Sequence, residues 1–94
     1  MPRVPSRAAE HIGQLMLEQR RMRGMTQDEV ASVSGIDSSN IRAYERGRSM
    51  PNVQSLVRVA DALDVHPGVL LEGLTPAVFR EPRSTDAVTP RRAS

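Results

Sequence analysis

The chain has 94 residues, 38% of them apolar, with one Tyr, one Phe, no Trp and no Cys. That bounds it to a single domain with an aliphatic core in which Met fills gaps. It excludes disulfides and thiolate metal sites, and no stretch approaches the roughly 20 apolar residues that span a bilayer. Net charge is +2, carried by 13 Arg and no Lys, yet residues 8–73 hold seven Arg against nine Asp or Glu, and the surplus sits at the two ends. Generic adhesion to nucleic acid is therefore weakly supported, and any case for it rests on where particular arginines fall.

Residues 1–7 contain two prolines and read as a flexible N-terminal arm. Arg3 and Arg7 are followed by no apolar run, so no signal peptide is expected and the default location is cytoplasmic. Ser6 is placed to cap a first helix in which Ile12, Leu15 and Met16 recur at helical spacing and should face a core. Gly24 stops it. Thr26 and Glu29 form a capping box for a second helix with Val30 and Ala31 on its inner face. Gly35 ends that helix where positive φ is needed. Asp37 is placed to cap a third helix, 38–46, with Ile41 and Tyr44 on one face. After the loop 48–51, Asn52 caps a fourth helix whose Val53, Leu56, Val57, Val59, Ala60 and Leu63 make a broad apolar stripe. Pro67 opens a short fifth helix with Val69, Leu70 and Leu71 on its apolar face. The expected organisation is thus all-α: a compact five-helix domain over 8–74 between the arm and a Pro-, Ser- and Thr-rich tail, 75–94, read as mostly disordered.

The most informative run is Thr26 to Gly47. Two short helices joined by a tight glycine turn, with Ala31 where crossed helices approach and Ile41 returning beneath the second, have the spacing of a helix-turn-helix. Such a unit presents one helix to the DNA major groove, here with Ser38, Ser39, Arg42, Ala43 and Arg46 outward. No nucleophile–base set, phosphate-binding glycine loop or carboxylate–histidine group is present, so an enzyme is not expected. His11 and His66 are far apart without ligand partners; neither a metal nor a cofactor is expected.

This run resembles the phage repressor and Cro-type (Xre-like) family. The matching residues are Thr26, Gln27, Val30, Ala31, Gly35, Ile41, Tyr44, Glu45 and Gly47, continuing through Pro51, Leu56, Ala60, Ala62, Leu63 and Val65. The resemblance covers residues 8–73 and implies a lambda-repressor-like fold. Ser34 departs from it, standing where an apolar residue is common, and implies a small local weakening. By the resemblance, Ser38, Ser39, Arg42 and Ala43 match base-reading positions. Gln27, Asn40, Arg46 and Arg48 match positions at or near the phosphate backbone, Gln27 also bracing the recognition helix, and Arg20 with Glu45 matches a structural ion pair. Similarity to the small controller proteins of restriction–modification systems implies dimerisation through Val65, Val69, Leu70, Leu71 and Leu74, with Val78 and Phe79 extending the seam.

The function implied is a sequence-specific transcriptional regulator, a repressor or autoregulator, acting as a homodimer on a pseudo-palindromic operator in double-stranded DNA. Its location would be cytoplasmic, on the nucleoid when bound. Two alternatives remain open: an antitoxin that binds DNA and sequesters a toxin, its tail folding on that protein partner, and a protein-interaction adaptor that binds no DNA.

Overall fold

Local capping decides where each helix begins. In the computed structural model, which describes residues 6–79, the Ser6 side chain accepts from the Ala9 N–H at 2.9 Å and opens α1 (Arg7–Met22). Thr26 and Glu29 exchange both bonds of a capping box at the start of α2 (Gln27–Ser34). Asn52 accepts from Ser55 N–H at 2.8 Å and opens α4 (Val53–Ala62). Each such cap satisfies an N–H that the helix itself leaves free. The third helix, α3 (Ser38–Glu45), differs from expectation. Asp37 holds the cap position but its side chain makes no cap bond. The N–H groups of Asn40 and Ile41 donate to the Asp37 carbonyl at 3.0 and 3.1 Å, so the carboxylate has no first-turn donor it must satisfy at Asn40.

The expected fifth helix is not α-helical. Residues Pro67–Leu71 form a short 3-10 helix, and a second one follows at Pro76–Phe79. Pro67 lacks an N–H and Gly68 is a poor helix former, and a segment this short cannot repay the cost of an α-helical nucleus; the tighter 3-10 turn is what remains. The described residues are therefore four α-helices and two 3-10 helices, with no strand. The second 3-10 helix packs against α1. A side-chain bond ties the same region down: His11 Nε2, on α1, lies 2.5 Å from the Glu72 carbonyl oxygen. Of the expected arm, only Ser6 and Arg7 fall within the described residues. The rest of the arm and residues 80–94 of the tail lie outside them.

The core is aliphatic, as the composition requires. Met16, Val30, Ile41, Val59, Leu63 and Leu70 are fully buried, with Ile12, Ile36, Tyr44, Leu56 and Ala60 around them. The stripe on α4 is narrower than its sequence suggests. Leu56, Val59, Ala60 and Leu63 face α2 and the first 3-10 helix, whereas Val53 and Val57 stand one turn apart on an exposed line, at 78% and 45% exposure. Two packed neighbours cover only part of a helix circumference, so a stripe of six apolar positions overfills what they can cover.

Candidate nucleic-acid interface

The turn between α2 and α3 is built by three adjacent residues. Gly35 adopts φ +77° and donates its N–H to Ala31 O at 2.9 Å, which closes α2 and reverses the chain. A side chain at that φ would carry a steric cost of about 1 kcal/mol or more. Ser34 is buried, and its hydroxyl accepts from the buried Ile36 N–H at 3.2 Å while lying 3.4 Å from Ala31 O. The serine that departs from the resembled pattern thus satisfies a backbone donor of the turn, which an apolar residue could not do. Ile36 then enters the core and delivers the chain to α3.

The inner side of α3 is fixed by polar contacts at its C-terminal end. Glu45 receives Arg20 Nε on one carboxylate oxygen at 2.7 Å and Arg20 Nη2 on the other at 3.0 Å. Gln27 Nε2 donates to Glu45 Oε1 at 2.9 Å. Because a carboxylate only accepts, this contact assigns the Gln27 amide nitrogen to the inner side. Arg20 Nη1 also donates to the Met25 carbonyl at 2.9 Å, so one guanidinium joins α1, the α1–α2 loop and α3. The side chains of Arg20 and Glu45 are 14% and 4% exposed. A two-pronged pair this buried holds geometry through matched forks rather than through net attraction.

Backbone approach completes the lock. Gly13 of α1 faces the end of α3 so closely that a Cβ there would lie 2.1 Å from the Tyr44 carbonyl oxygen and 3.0 Å from that of Glu45. Gly47, at φ +74°, sits against Glu10, whose Cγ would be 2.7 Å from a Cβ on that residue. The chain leaves α3 through Gly47 N–H donating to Tyr44 O at 3.0 Å and Arg48 N–H to Ala43 O at 2.9 Å. Gly13 and Gly47 were not among the candidate site residues. An isolated glycine inside the apolar-periodic α1 was the signal for the first.

With its inner side held, α3 turns the other side outward. Ser39, Asn40, Arg42 and Arg46 are exposed, Ser38 and Ala43 are half-buried, and Arg48 is exposed in the loop after α3. Asp37 is exposed at the start of the helix. The face therefore offers hydroxyl, amide and guanidinium donors on a fixed rod. Gln27 lies apart from this set, half-buried, with one amide N–H committed to Glu45 and the second uncommitted among the described residues. The apolar residues expected at a dimer seam do not behave alike. Leu70 is fully buried in the monomer core, and that burial removes it from any surface. Val65, Val69 and Leu74 are half-buried and Leu71 is 39% exposed. Among the described residues no group of three His, Asp or Glu could hold a metal ion, and no helix is long and apolar enough to cross a membrane.

Comparison with known proteins agrees with this geometry. The chain is 39% identical over 69 residues to an uncharacterized HTH-type transcriptional regulator of Sinorhizobium fredii, covering 73% of the chain and 35% of the relative. It spans less than half the length of the curated relatives it first matches, 35%, 45% and 48%. Its fold superposes on the restriction–modification controller protein C.AhdI of Aeromonas hydrophila with a TM-score of 0.65 and 32% identity, covering 66% of the chain and 94% of that protein. It superposes on the P22 c2 repressor, solved in complex with a synthetic operator, with a TM-score of 0.61 and 26% identity, covering 66% and 94%. The Helix-turn-helix family model matches residues 16–70, more than half of the sequence, and the chain belongs to that family.

Proposed function

We propose that this protein is a sequence-specific DNA-binding regulator of transcription, acting as a repressor or autoregulator, and that its activity is binding rather than catalysis. The observation that carries this reading is the division of α3 into two sides. Its inner side is held by Arg20, Gln27 and Gly13 and by Ile41 and Tyr44 in the core, while Ser39, Asn40, Arg42 and Arg46 are exposed and their side chains make no hydrogen bond or salt bridge among the described residues. The relatives named as transcriptional regulators and the repressor solved with its operator support it.

In this reading α3 enters the major groove. Arg42 donates two hydrogen bonds to guanine O6 and N7, a pairing that discriminates by about 1–3 kcal/mol. Ser38 and Ser39 hydrogen-bond base edges less selectively, and Ala43 contacts a thymine methyl. Arg46, Arg48 and Asn40 bond phosphate oxygens, and the second amide N–H of Gln27 does the same. One such module buries about 600–1,000 Å² on DNA, too little for tight binding alone. A two-fold homodimer on a pseudo-palindrome, with half-sites about one helical turn apart, supplies the rest. Leu71, Val65, Val69 and Leu74 are the apolar residues available for that dimer, with Phe79 beside them in sequence and 55% exposed.

Selection from random duplex DNA, followed by affinity measurement across salt concentrations, tests the reading. A two-fold repeated motif is expected, with affinity falling steeply as salt rises. Arg42→Ala should relax one base position per half-site, and Arg46→Ala should weaken all sequences alike and flatten the salt dependence. Binding that is absent at low salt would refute the proposal in favour of a protein-interaction adaptor. Sedimentation at micromolar concentration tests the dimer, and a strict monomer both free and on DNA would refute it.

A further inference from the structure

The carboxylate of Asp37 is left unused by the fold. It stands at the position where a side chain ordinarily caps a helix, yet it makes no cap bond. The reason is local. The Asn40 N–H, which such a cap would satisfy, already donates to the Asp37 carbonyl at 3.0 Å. Asp37 enters no salt bridge among the described residues and is exposed. Although Ile41, four residues on, is fully buried, the backbone at Asp37 (φ −54°, ψ 140°) has not yet entered the helix, and its side chain does not follow Ile41 inward. Next to it in sequence come Ser38 and Ser39, at the end of α3 where helix-turn-helix proteins meet base edges.

A carboxylate at such a place is costly for an anionic partner. It lowers affinity for every stretch of phosphate backbone, and the fold holds it by no hydrogen bond or salt bridge among the described residues, only by the favourable field at the start of α3. Its one favourable contact in a major groove is with an amino group. Cytosine offers N4–H₂ beside a C–H edge. Adenine offers N6–H₂ beside the N7 lone pair, which repels a carboxylate. We infer that Asp37 is a specificity residue: it accepts a hydrogen bond from cytosine N4 at one position of each half-site and penalises sequences that lack that donor. This rests on α3 being the groove-reading helix.

The test is parallel selection and affinity measurement on the full chain, with wild type, Asp37→Ala and Asp37→Asn. Wild type should prefer cytosine at a position distinct from the one that Arg42→Ala relaxes. Asp37→Ala should lose that preference, a loss of about 5- to 150-fold in discrimination, while binding to unrelated DNA strengthens. Asp37→Asn should move the preference toward adenine, whose N6 and N7 match an amide. The melting temperature of both variants should fall by no more than about 8 °C, the effect of removing a negative charge from the start of α3, since no cap bond is lost. An unchanged base preference in both variants overturns the inference while leaving the groove-reading helix standing. So does a larger fall in melting temperature with preference unchanged, which would make Asp37 a structural cap. Wild type that selects no sequence at all fails the underlying reading and this inference with it.

Discussion

Replacement of Gly13 by Ala separates packing from propensity, because the two predict opposite signs. Gly13 lies inside α1, where Ala is the better helix former by about 0.8–1.0 kcal/mol. On propensity alone the variant should be more stable. The structure says otherwise. The added methyl carbon would lie 2.1 Å from the Tyr44 carbonyl oxygen and 3.1 Å from the Glu45 carbonyl carbon, where ordinary contact begins at 3.4 Å. These are backbone atoms at the closed end of α3, so no rotamer change relieves them, and α1 and α3 must separate by more than about 1 Å. Overpacking of this kind costs about 1–3 kcal/mol. Here it falls at the upper end, because the same movement draws Glu45 away from Arg20, now 2.7 Å apart. The net is a destabilisation of about 1–2 kcal/mol after the helix gain is subtracted, or a fall in melting temperature of about 4–16 °C for a domain of this size. Thermal melting followed by helical circular dichroism measures it. Gly68→Ala is the control: a Cβ there meets nothing within 4 Å, so stability should hold or rise slightly. A Gly13→Ala protein that melts at or above the wild-type temperature would refute the close approach of α1 to α3.

Three further substitutions test other joints. Arg20→Ala leaves the Glu45 carboxylate, 4% exposed, with Gln27 as its remaining partner and should cost about 3–5 kcal/mol; an unchanged midpoint in urea unfolding would remove the pair from the account. Ser34→Ala strips the buried Ile36 N–H of its acceptor, so it should destabilise by about 1–3 kcal/mol in the same assay, although it restores an apolar residue to the turn. Asp64→Gly should raise the melting temperature. Asp64 holds φ +59° without being glycine and places a negative charge at the C-terminal end of α4, against which the contact to Arg23 at 3.8 Å on the surface contributes little. A lowered melting temperature would show that the Arg23 contacts outweigh both strain and charge.

What was legible in the sequence is what local chemistry dictates. The caps at Ser6, Thr26 and Asn52 and the αL turn at Gly35 depend on residues within three or four positions, and the structure forms each of them. The buried positions Ile12, Met16, Val30, Ile41 and Tyr44 follow from periodicity alone, whereas Ala8, Ala9 and Gly13 of α1 and Ser34 of α2 do not. The less legible features are long-range. Nothing near Gly13 in sequence reports that the end of α3 lies against it. Val53 and Val57 carry the same periodic signal as Leu56 and Val59, and only the positions of α2 and the first 3-10 helix decide which pair is covered. Leu70 looked like a surface seam residue because helical spacing cannot separate a side chain that closes its own core from one that meets a partner. Asp37 failed as a cap for a subtler reason: the first turn tightened and its own carbonyl took the donor. In the site, Arg20 and Glu45 stand 25 residues apart and pair only by resemblance; the resemblance also makes Gln27 a brace for α3, but that its partner is the same carboxylate is seen only in the structure.

The placement of these contacts along α3 has a consequence for how such a domain can change its target. All the polar and close backbone contacts lie at its C-terminal end: Glu45 with Arg20 and Gln27, the Tyr44 carbonyl against Gly13, and Gly47 against Glu10. The N-terminal half is seated by Ile36 and Ile41 in the core and by the turn through Ser34. None of these involves Ser39, Asn40, Arg42 or Arg46 through a side chain. Exposed helix positions free of such contacts usually shift stability by no more than about 0.5 kcal/mol when exchanged. Of the residues proposed to read bases, the exposed Ser39 and Arg42 are therefore energetically separate from those that hold the rod. Exchanging Ser39 and Arg42 together should redirect the selected sequence while the melting temperature stays near that of the parent. A joint exchange that unfolds the domain would mean that the outward face also carries the fold, and the division of α3 into a held side and a reading side would then be wrong.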